Sequence, residues 1–404
     1  MELLFRLMKI KKKNKFKNDI YVKNSLKTFS EIAQQVRASS NISSVAITGS
    51  SGKTSLKEML GQMMGKIYQT SYSKKSFNNK YGVPLSLFNI NKRDKIGIFE
   101  VGMDKKGEIN FLTEKITPNV GVITNISYAH IKNFQNLKGI ANAKSEIINN
   151  ISQHGSIILN ADDNFFKFLK SKSKKKKLRI ISFGINKKSD VSLINIKSGK
   201  FNSVIYIKNN GKKLRFIIKK NLENYIYNIL STLAVISIYF DLDKLDKSFF
   251  NDYQFPEGRG DLNLINLKEK KINLIDESYN SNPLSLQFAL NKLNNFNTKS
   301  KRKLILLGDM LELGKYSKKL HSEAAQHIND TKIDRVYVYG KEVIETFNKI
   351  RPQKRGKILN SNKDIINFIR NDIKDGEYLM IKGSNSTGLN KISQSLKIGK
   401  LNAF

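Results

Sequence analysis

From residue 44 onward the chain alternates short β-branched apolar runs with segments whose apolar positions recur at helical spacing, the order of parallel βαβ units. Val45-Ala46-Ile47-Thr48 reads as a buried strand. Leu56, Met59, Leu60, Met63 and Met64 then fall at i, i+3, i+4, i+7 and i+8, which predicts an amphipathic helix beginning near Thr54. Ile96–Val101, Val120–Thr124 and Ser156–Leu159 read as three more strands, the first two ending in polar residues and the third in Asn160-Ala161-Asp162. Between Ile180 and Lys220 the pattern changes to short alternating runs, Val191–Ile196, Ser203–Ile207 and Leu214–Ile218, separated by Gly and Asn. That spacing predicts an antiparallel patch. A helix over Tyr225–Phe240 closes this half.

After Pro256 and Gly258 the alternation restarts: strand Ile272–Ile275, a helix from Pro283, strand Lys303–Leu307, a helix around Leu320, and strands Val336–Tyr339 and Tyr378–Ile381. Two open α/β sheets in tandem place polar residues at strand C-terminal ends, facing a cleft where such folds bind ligands.

Composition narrows the chemistry. The 404 residues contain no Cys, which excludes disulfides, thiolate metal sites and cysteine nucleophiles and fits a cytoplasmic setting. Lys and Arg number 72 against 34 Asp and Glu, a net charge of +38. A polyanionic partner is the obvious reading of that excess, yet the lysines are spread along the whole chain among Asn and Ile, as in a compositional drift at exposed positions. Only Lys11-Lys12-Lys13 with Lys15 and Lys17, and Lys172 to Lys177, concentrate charge, and both read as solvated loops. Met1–Ile10 is apolar but short and carries Glu2, Arg6 and Lys9, so it neither spans a bilayer nor forms a signal peptide. The basic N-terminus leaves room for peripheral contact with an anionic membrane.

Thr48-Gly49-Ser50-Ser51-Gly52-Lys53-Thr54 lies between a predicted strand and a predicted helix, the context a phosphate-cradling loop needs. Its glycines let backbone N–H groups approach phosphate oxygens, Lys53 supplies charge, and the Thr54 hydroxyl can ligate Mg²⁺. A strict Walker A motif would have Gly in place of Ile47. Glu100, His130 and Lys144 follow later strands. Taken singly, the bland readings are favoured: a loop cap, a satisfied buried imidazole and a surface lysine. Around a triphosphate, a carboxylate, an imidazole and a hydroxyl make a Mg²⁺ shell.

GSSGKTSLKEM, SFNNKYGVPLSL, FEVGMDKKGEI, TNISYAHIKNF, ANAKSEI, GRGD, IDESYNSNP, GDMLELG with His321 downstream, and IKGSN resemble, in order, the motifs of the Mur ligases, over about residues 22–390. NNKYGVPLSL, DESYNSNP and GDMLELG look like the family member that joins UDP-N-acetylmuramoyl-tripeptide to D-alanyl-D-alanine. The resemblance implies an α/β fold with a central P-loop-type ATPase domain at 44–252, a mostly parallel sheet with an antiparallel patch, and a Rossmann-like C-terminal domain at 253–404. Residues 1–43 would be a remnant of the family's UDP-binding domain, of which only Tyr21–Ser40, a strand leading into a helix, has a counterpart here.

Carried over by position, the resemblance implies that Lys53 and the backbone of 49–54 hold the β- and γ-phosphates of ATP. Thr54 and Glu100 would bind one Mg²⁺, and Glu100, His130 and a carbamylated Lys144 a second. Asn228 would contact adenine, Glu277 the ribose and Arg259 the γ-phosphate. Asn78 and Asn79 would position substrate, with Tyr279, Asn280 and Asn282 lining the same cleft. The implied reaction is attack of a substrate carboxylate on ATP to give an acyl phosphate, which the amine of D-alanyl-D-alanine then displaces. The expected partners are therefore small molecules acting on a cytoplasmic monomer, with no nucleic acid. Two positions depart from the family pattern: Asn224 where a His is common, and Asp276-Glu277 where an Asp pair is usual. A related amino-acid-adding ligase is the alternative, although nothing in the C-terminal half resembles the DNPR signature of the diaminopimelate-adding sibling. A basic nucleic-acid- or membrane-binding protein on a degenerate ligase fold is the other, opposed by the intact Lys53, Thr54, Glu100, His130 and Lys144.

Overall fold

The computed structural model describes residues 22–267, 270–296 and 301–399, and these form two sheets in sequence. Met1–Ile10 and the lysines at 11, 12, 13, 15 and 17 lie outside the described residues. The first unit runs α1 (Ser25–Ser39), β1 (Ser43–Thr48), α2 (Lys53–Met64), β2 (Thr70–Tyr72), α3 (Gly82–Phe88), β3 (Ile96–Glu100), α4 (Glu108–Ile116), β4 (Val120–Ile123), α5 (Leu137–Lys144), β5 (Ser156–Asn160), α6 (Phe166–Lys175), β6 (Arg179–Gly184), β7 (Val191–Ser198), β8 (Asn202–Asn209), β9 (Lys212–Lys219) and α7 (Ile226–Ile236). Its sheet is ordered β2-β3-β1-β4-β5-β6-β7-β8-β9. Every pairing from β2 across to β7 is parallel, and only β7, β8 and β9 run antiparallel.

The antiparallel patch thus begins at Val191. The apolar run at Ile180 belongs to β6, which pairs with β5 in parallel because a crossover helix, α6, precedes it. The run Lys172–Lys177, which reads as a loop, supplies instead the last turn of α6, where Lys172, Lys174 and Lys175 sit against the negative end of the helix dipole. Asn210-Gly211 joins β8 to β9 with both φ angles positive (46° and 90°), the hairpin connection that matches strand twist. Asn24 caps α1, and among the described residues 22–24 no strand precedes that helix.

The second unit runs β10 (Asp261–Leu267), β11 (Lys270–Glu277), α8 (Pro283–Asn295), β12 (Lys303–Gly308), α9 (Ser317–Asn329), β13 (Arg335–Tyr339), α10 (Ile344–Lys349), β14 (Arg355–Leu359), α11 (Asn362–Asn367), β15 (Tyr378–Lys382) and α12 (Leu389–Lys397). Its sheet order is β10-β11-β15-β12-β13-β14, antiparallel only between β10 and β11. β10 and β14 are the edge strands and escape the periodicity reading, since β14 is largely polar and β10 leaves Leu262 and Leu264 exposed.

Burial follows the sequence pattern. The apolar stripe of α2, Leu56, Met59, Leu60, Met63 and Met64, packs in one cluster with Val45 and Ile47 of β1 and with Ile229, Leu230 and Leu233 of α7. Each such side chain, fully buried, contributes about 1.5–3 kcal/mol. A second cluster takes in Met103 and Ile131 of the first unit together with Met310 and Leu313 of the second, so the two units share apolar core. Among the described residues no helix is long and apolar enough to cross a membrane.

Candidate active site

The loop between β1 and α2 is held by its own geometry and by the segment after β4. Gly49 has φ 150°, and a Cβ there would run into the Thr124 side chain; Gly52 adopts the left-handed conformation (φ 81°) just before α2 begins at Lys53. Ser50 N–H donates to the Asn125 carbonyl and Ser51 N–H to Asn125 Oδ1, both at 2.9 Å, while Thr124 Oγ1 donates to the Ser51 carbonyl at 2.7 Å. The Thr124–Ser127 part of TNISYAH therefore serves as a buttress for the phosphate loop. Lys53 Nζ donates to the Gly49 carbonyl at 2.9 Å. Burial lowers its pKa; Glu100 acts to raise it and Arg259 to lower it further.

At the end of β3, Glu100 is buried and fully engaged: it accepts from Thr54 Oγ1 and from Asn78 Nδ2, each at 2.7 Å. Ser76 Oγ lies 3.1 Å from Thr54 Oγ1. These are hard oxygen donors clustered at the head of α2, where the positive end of the helix dipole favours anions.

Two cavities flank the loop. One, of about 500 Å³, is lined by Asn160, Asn224, Tyr227, Asn228, Glu277, Lys292 and Lys382 among others. The second, of about 770 Å³, is lined by Lys53, Thr54, Asn78, Asn79, Glu100 and His130. Ser51, Gly52, Arg259, Tyr279, Asn280 and Ser285 line both, so the cavities meet beside the loop, at the junction of the two sheets. Arg259 stacks over the Tyr279 ring, 4.1 Å from its centroid. Lys144 is 1% exposed, has no ion-pair partner among the described residues, and its pKa is lowered well below the ordinary value, first by burial and then by the Lys53 charge.

Several residues sit elsewhere than the sequence suggests. Thr48 is fully buried beneath the loop and borders neither cavity. Asn79 borders the second cavity but spends its Oδ1 on the N–H groups of Tyr81 and Gly82 at 3.1 and 3.0 Å. His130 turns Nδ1 toward Glu312 (2.5 Å) and Asp104 (3.0 Å), not toward Glu100, because the loop 311–316 of the second unit lies against it: Lys132 N–H donates to the Glu312 carbonyl at 3.0 Å. His321 is a structural group, its Nε2 accepting from Met310 N–H at 3.1 Å.

Asn282 borders neither cavity. It caps α8, accepting from Ser285 N–H at 2.9 Å, and pins the helix to the phosphate loop: Ser51 Oγ donates to its Oδ1 at 3.0 Å and its Nδ2 reaches the Ser50 carbonyl at 3.4 Å. Serine caps helices as well as asparagine does. Asn282→Ser should therefore keep α8 capped and lower the melting temperature only slightly, through the lost pin, while weakening ATP binding about three- to tenfold, the worth of a hydrogen bond or so. A nucleotide titration beside a thermal melt checks this; unchanged ATP affinity would rule out the pin.

Residues 47–236 match the Mur ligase middle domain and residues 262–385 the Mur ligase, glutamate ligase domain. The chain belongs to the Mur ligase family. A UDP-N-acetylmuramoyl-tripeptide–D-alanyl-D-alanine ligase of Rickettsia prowazekii is 32% identical over 375 residues, 92% of this chain and 82% of that protein. Its counterpart in Buchnera aphidicola is also 32% identical, over 93% of this chain and 80% of that protein. Among solved structures, MurF from Acinetobacter baumannii superposes with a TM-score of 0.83 at 24% identity, covering 95% of this chain and 82% of that one. MurF ligase from Thermotoga maritima, in complex with ADP, does so with 0.81 at 22% identity, covering 97% and 88%. These two show the fold this Mur ligase shares.

Residues bordering the site that the sequence reading passed over fall into two groups. Asn125, Glu312 and Lys382 stand inside quoted motifs, so their signal was present. Tyr225 and Lys292 had none: Lys292 is one of 72 basic residues, and only the fold carries it to Glu277.

Proposed function

We propose that this Mur ligase forms an amide bond at the expense of ATP, adding D-alanyl-D-alanine to UDP-N-acetylmuramoyl-tripeptide in cytoplasmic peptidoglycan precursor synthesis. The supporting relatives carry that activity in their names and match more than nine-tenths of the chain. The observation that carries the reading is the phosphate loop at the junction of two cavities that share Arg259. We divide the chain at 43/44 and 252/253 and expect it to act as a monomer.

ATP lies with adenine toward Asn228, ribose toward Glu277 and its phosphates on Lys53 and on the N–H groups at the head of α2, those of Ser50 and Ser51 being taken by Asn125. The β–γ bridge then points from the first cavity into the second, where Asn78, Asn79, Tyr279 and Asn280 hold the peptide carboxylate in line. The carboxylate oxygen bonds to the γ-phosphorus and ADP leaves. The amine nitrogen of D-alanyl-D-alanine then adds to the acyl carbon, loses its proton, and inorganic phosphate departs. Lys53 and Arg259 face the charge that develops on the phosphoryl oxygens. Positioning alone can supply about 7–11 kcal/mol of the barrier.

The donor set at Thr54, Ser76 and Glu100 suits Mg²⁺, being all oxygen with one full negative charge. When bound there, Mg²⁺ would neutralise charge on the transferring phosphoryl group. A second ion would take Glu100, His130 through Nε2, which makes no hydrogen bond among the described residues, and Lys144 as a carbamate. Burial favours the neutral amine of Lys144, the form that adds CO₂, and the product is an anionic oxygen ligand.

Phosphate release is expected only with both UDP-N-acetylmuramoyl-tripeptide and D-alanyl-D-alanine present. Turnover of ATP indifferent to the dipeptide, in a coupled phosphate assay, would overturn this function.

A further inference from the structure

We propose that Tyr225 and Lys292 are positioning residues that clamp the backbone around Arg259, fixing that side chain where the two cavities meet. The inference rests on the reading of Arg259 as the γ-phosphate contact. Tyr225 belongs to the first unit, one residue ahead of α7, and its hydroxyl donates to the Arg259 carbonyl at 2.7 Å. Lys292 belongs to α8 of the second unit, and its Nζ donates to the Gly260 carbonyl at 2.6 Å. The two donors also touch each other, Lys292 Nζ lying 3.3 Å from Tyr225 Oη. Consecutive carbonyls of one loop are thus tied to opposite units, just where the chain passes from one sheet to the other.

The rest of the loop is built around these bonds. Gly260 has φ 95°, and a Cβ on it would run into both Lys292 Nζ and Tyr225 Oη, so the clamp closes against a position only glycine can occupy. Gly260 N–H donates to the Asp276 carbonyl at 2.6 Å and Tyr279 N–H to the Gly258 carbonyl at 3.2 Å, which brings Tyr279 under the Arg259 guanidinium.

A buried lysine is an expensive way to fill space. Lys292 is 4% exposed, its ammonium 5.3 and 5.9 Å from the ring centroids of Tyr225 and Phe255, with Glu277 at 3.7 Å as its ion pair. A methionine would occupy that aromatic slot without the desolvation cost. What the lysine adds is a directed donor to the Gly260 carbonyl and a charge paired with Glu277. Neither side chain is on a reacting atom, so the effect passes through Arg259.

A double-mutant cycle separates this from ordinary packing. Tyr225→Phe keeps the ring on Phe255 and removes one donor; kcat should fall about five- to tenfold with KM for ATP within about threefold. In an Arg259→Ala background the same substitution should change kcat no further. Lys292→Met should lower kcat alike, with a rise in KM for ATP besides because Glu277 loses its ion pair with Lys292, and where that variant does not fold, Tyr225→Phe decides. An unchanged kcat in Tyr225→Phe, or an undiminished loss in the Arg259→Ala background, would overturn the proposal. If Arg259→Ala itself leaves kcat intact, the γ-phosphate role of Arg259 falls and the clamp's role falls with it, while dipeptide-dependent phosphate release would still uphold the ligase assignment.

Discussion

Lys53→Met is expected to lower the ligation rate by ~10²–10³-fold, the loss typical of deleting one preorganised electrostatic group, about 2.7–4 kcal/mol. Methionine preserves the length and apolar stem of the side chain, so the effect isolates the charge. In the wild-type chain Lys53 sits at the first residue of α2, donates to the Gly49 carbonyl, and feels both Glu100 and Arg259. Its ammonium holds the loop closed at Gly49, and in the proposed ATP pose it also faces the phosphates. Arg259 approaches from the other unit and cannot restore the loop closure. ATP affinity should fall along with kcat. Phosphate-release kinetics and calorimetric nucleotide binding check both, and a rate within threefold of wild type would remove Lys53 from the mechanism.

The second large effect concerns Lys144. Its ammonium is destabilised first by burial and then by Lys53, so its pKa in the folded chain lies well below the ordinary lysine value. The sign of the pH dependence follows. Between that lowered pKa and the unfolded value the unfolded chain binds the extra proton, so the stability of the unmodified protein rises with pH across this window. As pH falls through the lowered pKa the amine takes up a proton, loses its lone pair and stops adding CO₂. Enzyme stripped of CO₂ under acid conditions should accordingly lose activity and recover it with bicarbonate at higher pH. A carbamate carbon should appear by NMR with ¹³C-labelled bicarbonate. Lys144→Ala should lose ~10²–10³-fold in rate with no rescue by bicarbonate. Retained activity in that variant would refute the role of Lys144 in the metal set.

The proposed metal set also bears on His130. Its Nδ1 is held by Asp104 and by Glu312 from the second unit. Those carboxylates fix the ring's orientation, as partners behind a metal-bound imidazole commonly do.

Much of this was legible in the sequence because it is local. Strand-then-helix periodicity placed β1, α2, β3 and β4, and the glycines at 49 and 52 announced a phosphate loop between them. Glu100 was legible as a polar residue ending an apolar strand, and its contacts with Thr54 and Asn78 follow from β3 lying beside β1 in the sheet. The edge strands β10 and β14 were not legible, since half-exposed edges carry no clear alternation. The parallel placement of β6 was hidden by a lysine run that looks like a loop and is a helix end.

The sequence by itself determined the loop chemistry, the order of the two α/β units and the membership suggested by ordered motifs, all of which depend on residues near one another in the chain. Tertiary structure alone decided which distant groups meet. Asn282 stands 231 positions from Ser51 yet bonds it. Tyr225 and Lys292, 67 positions apart, close on one loop from two sheets. Glu312 reaches His130 only because the second unit packs on the first. Hydrogen bonds and ion pairs act over a few ångströms, and no periodicity in a chain of this length reports which side chains the fold brings within that range.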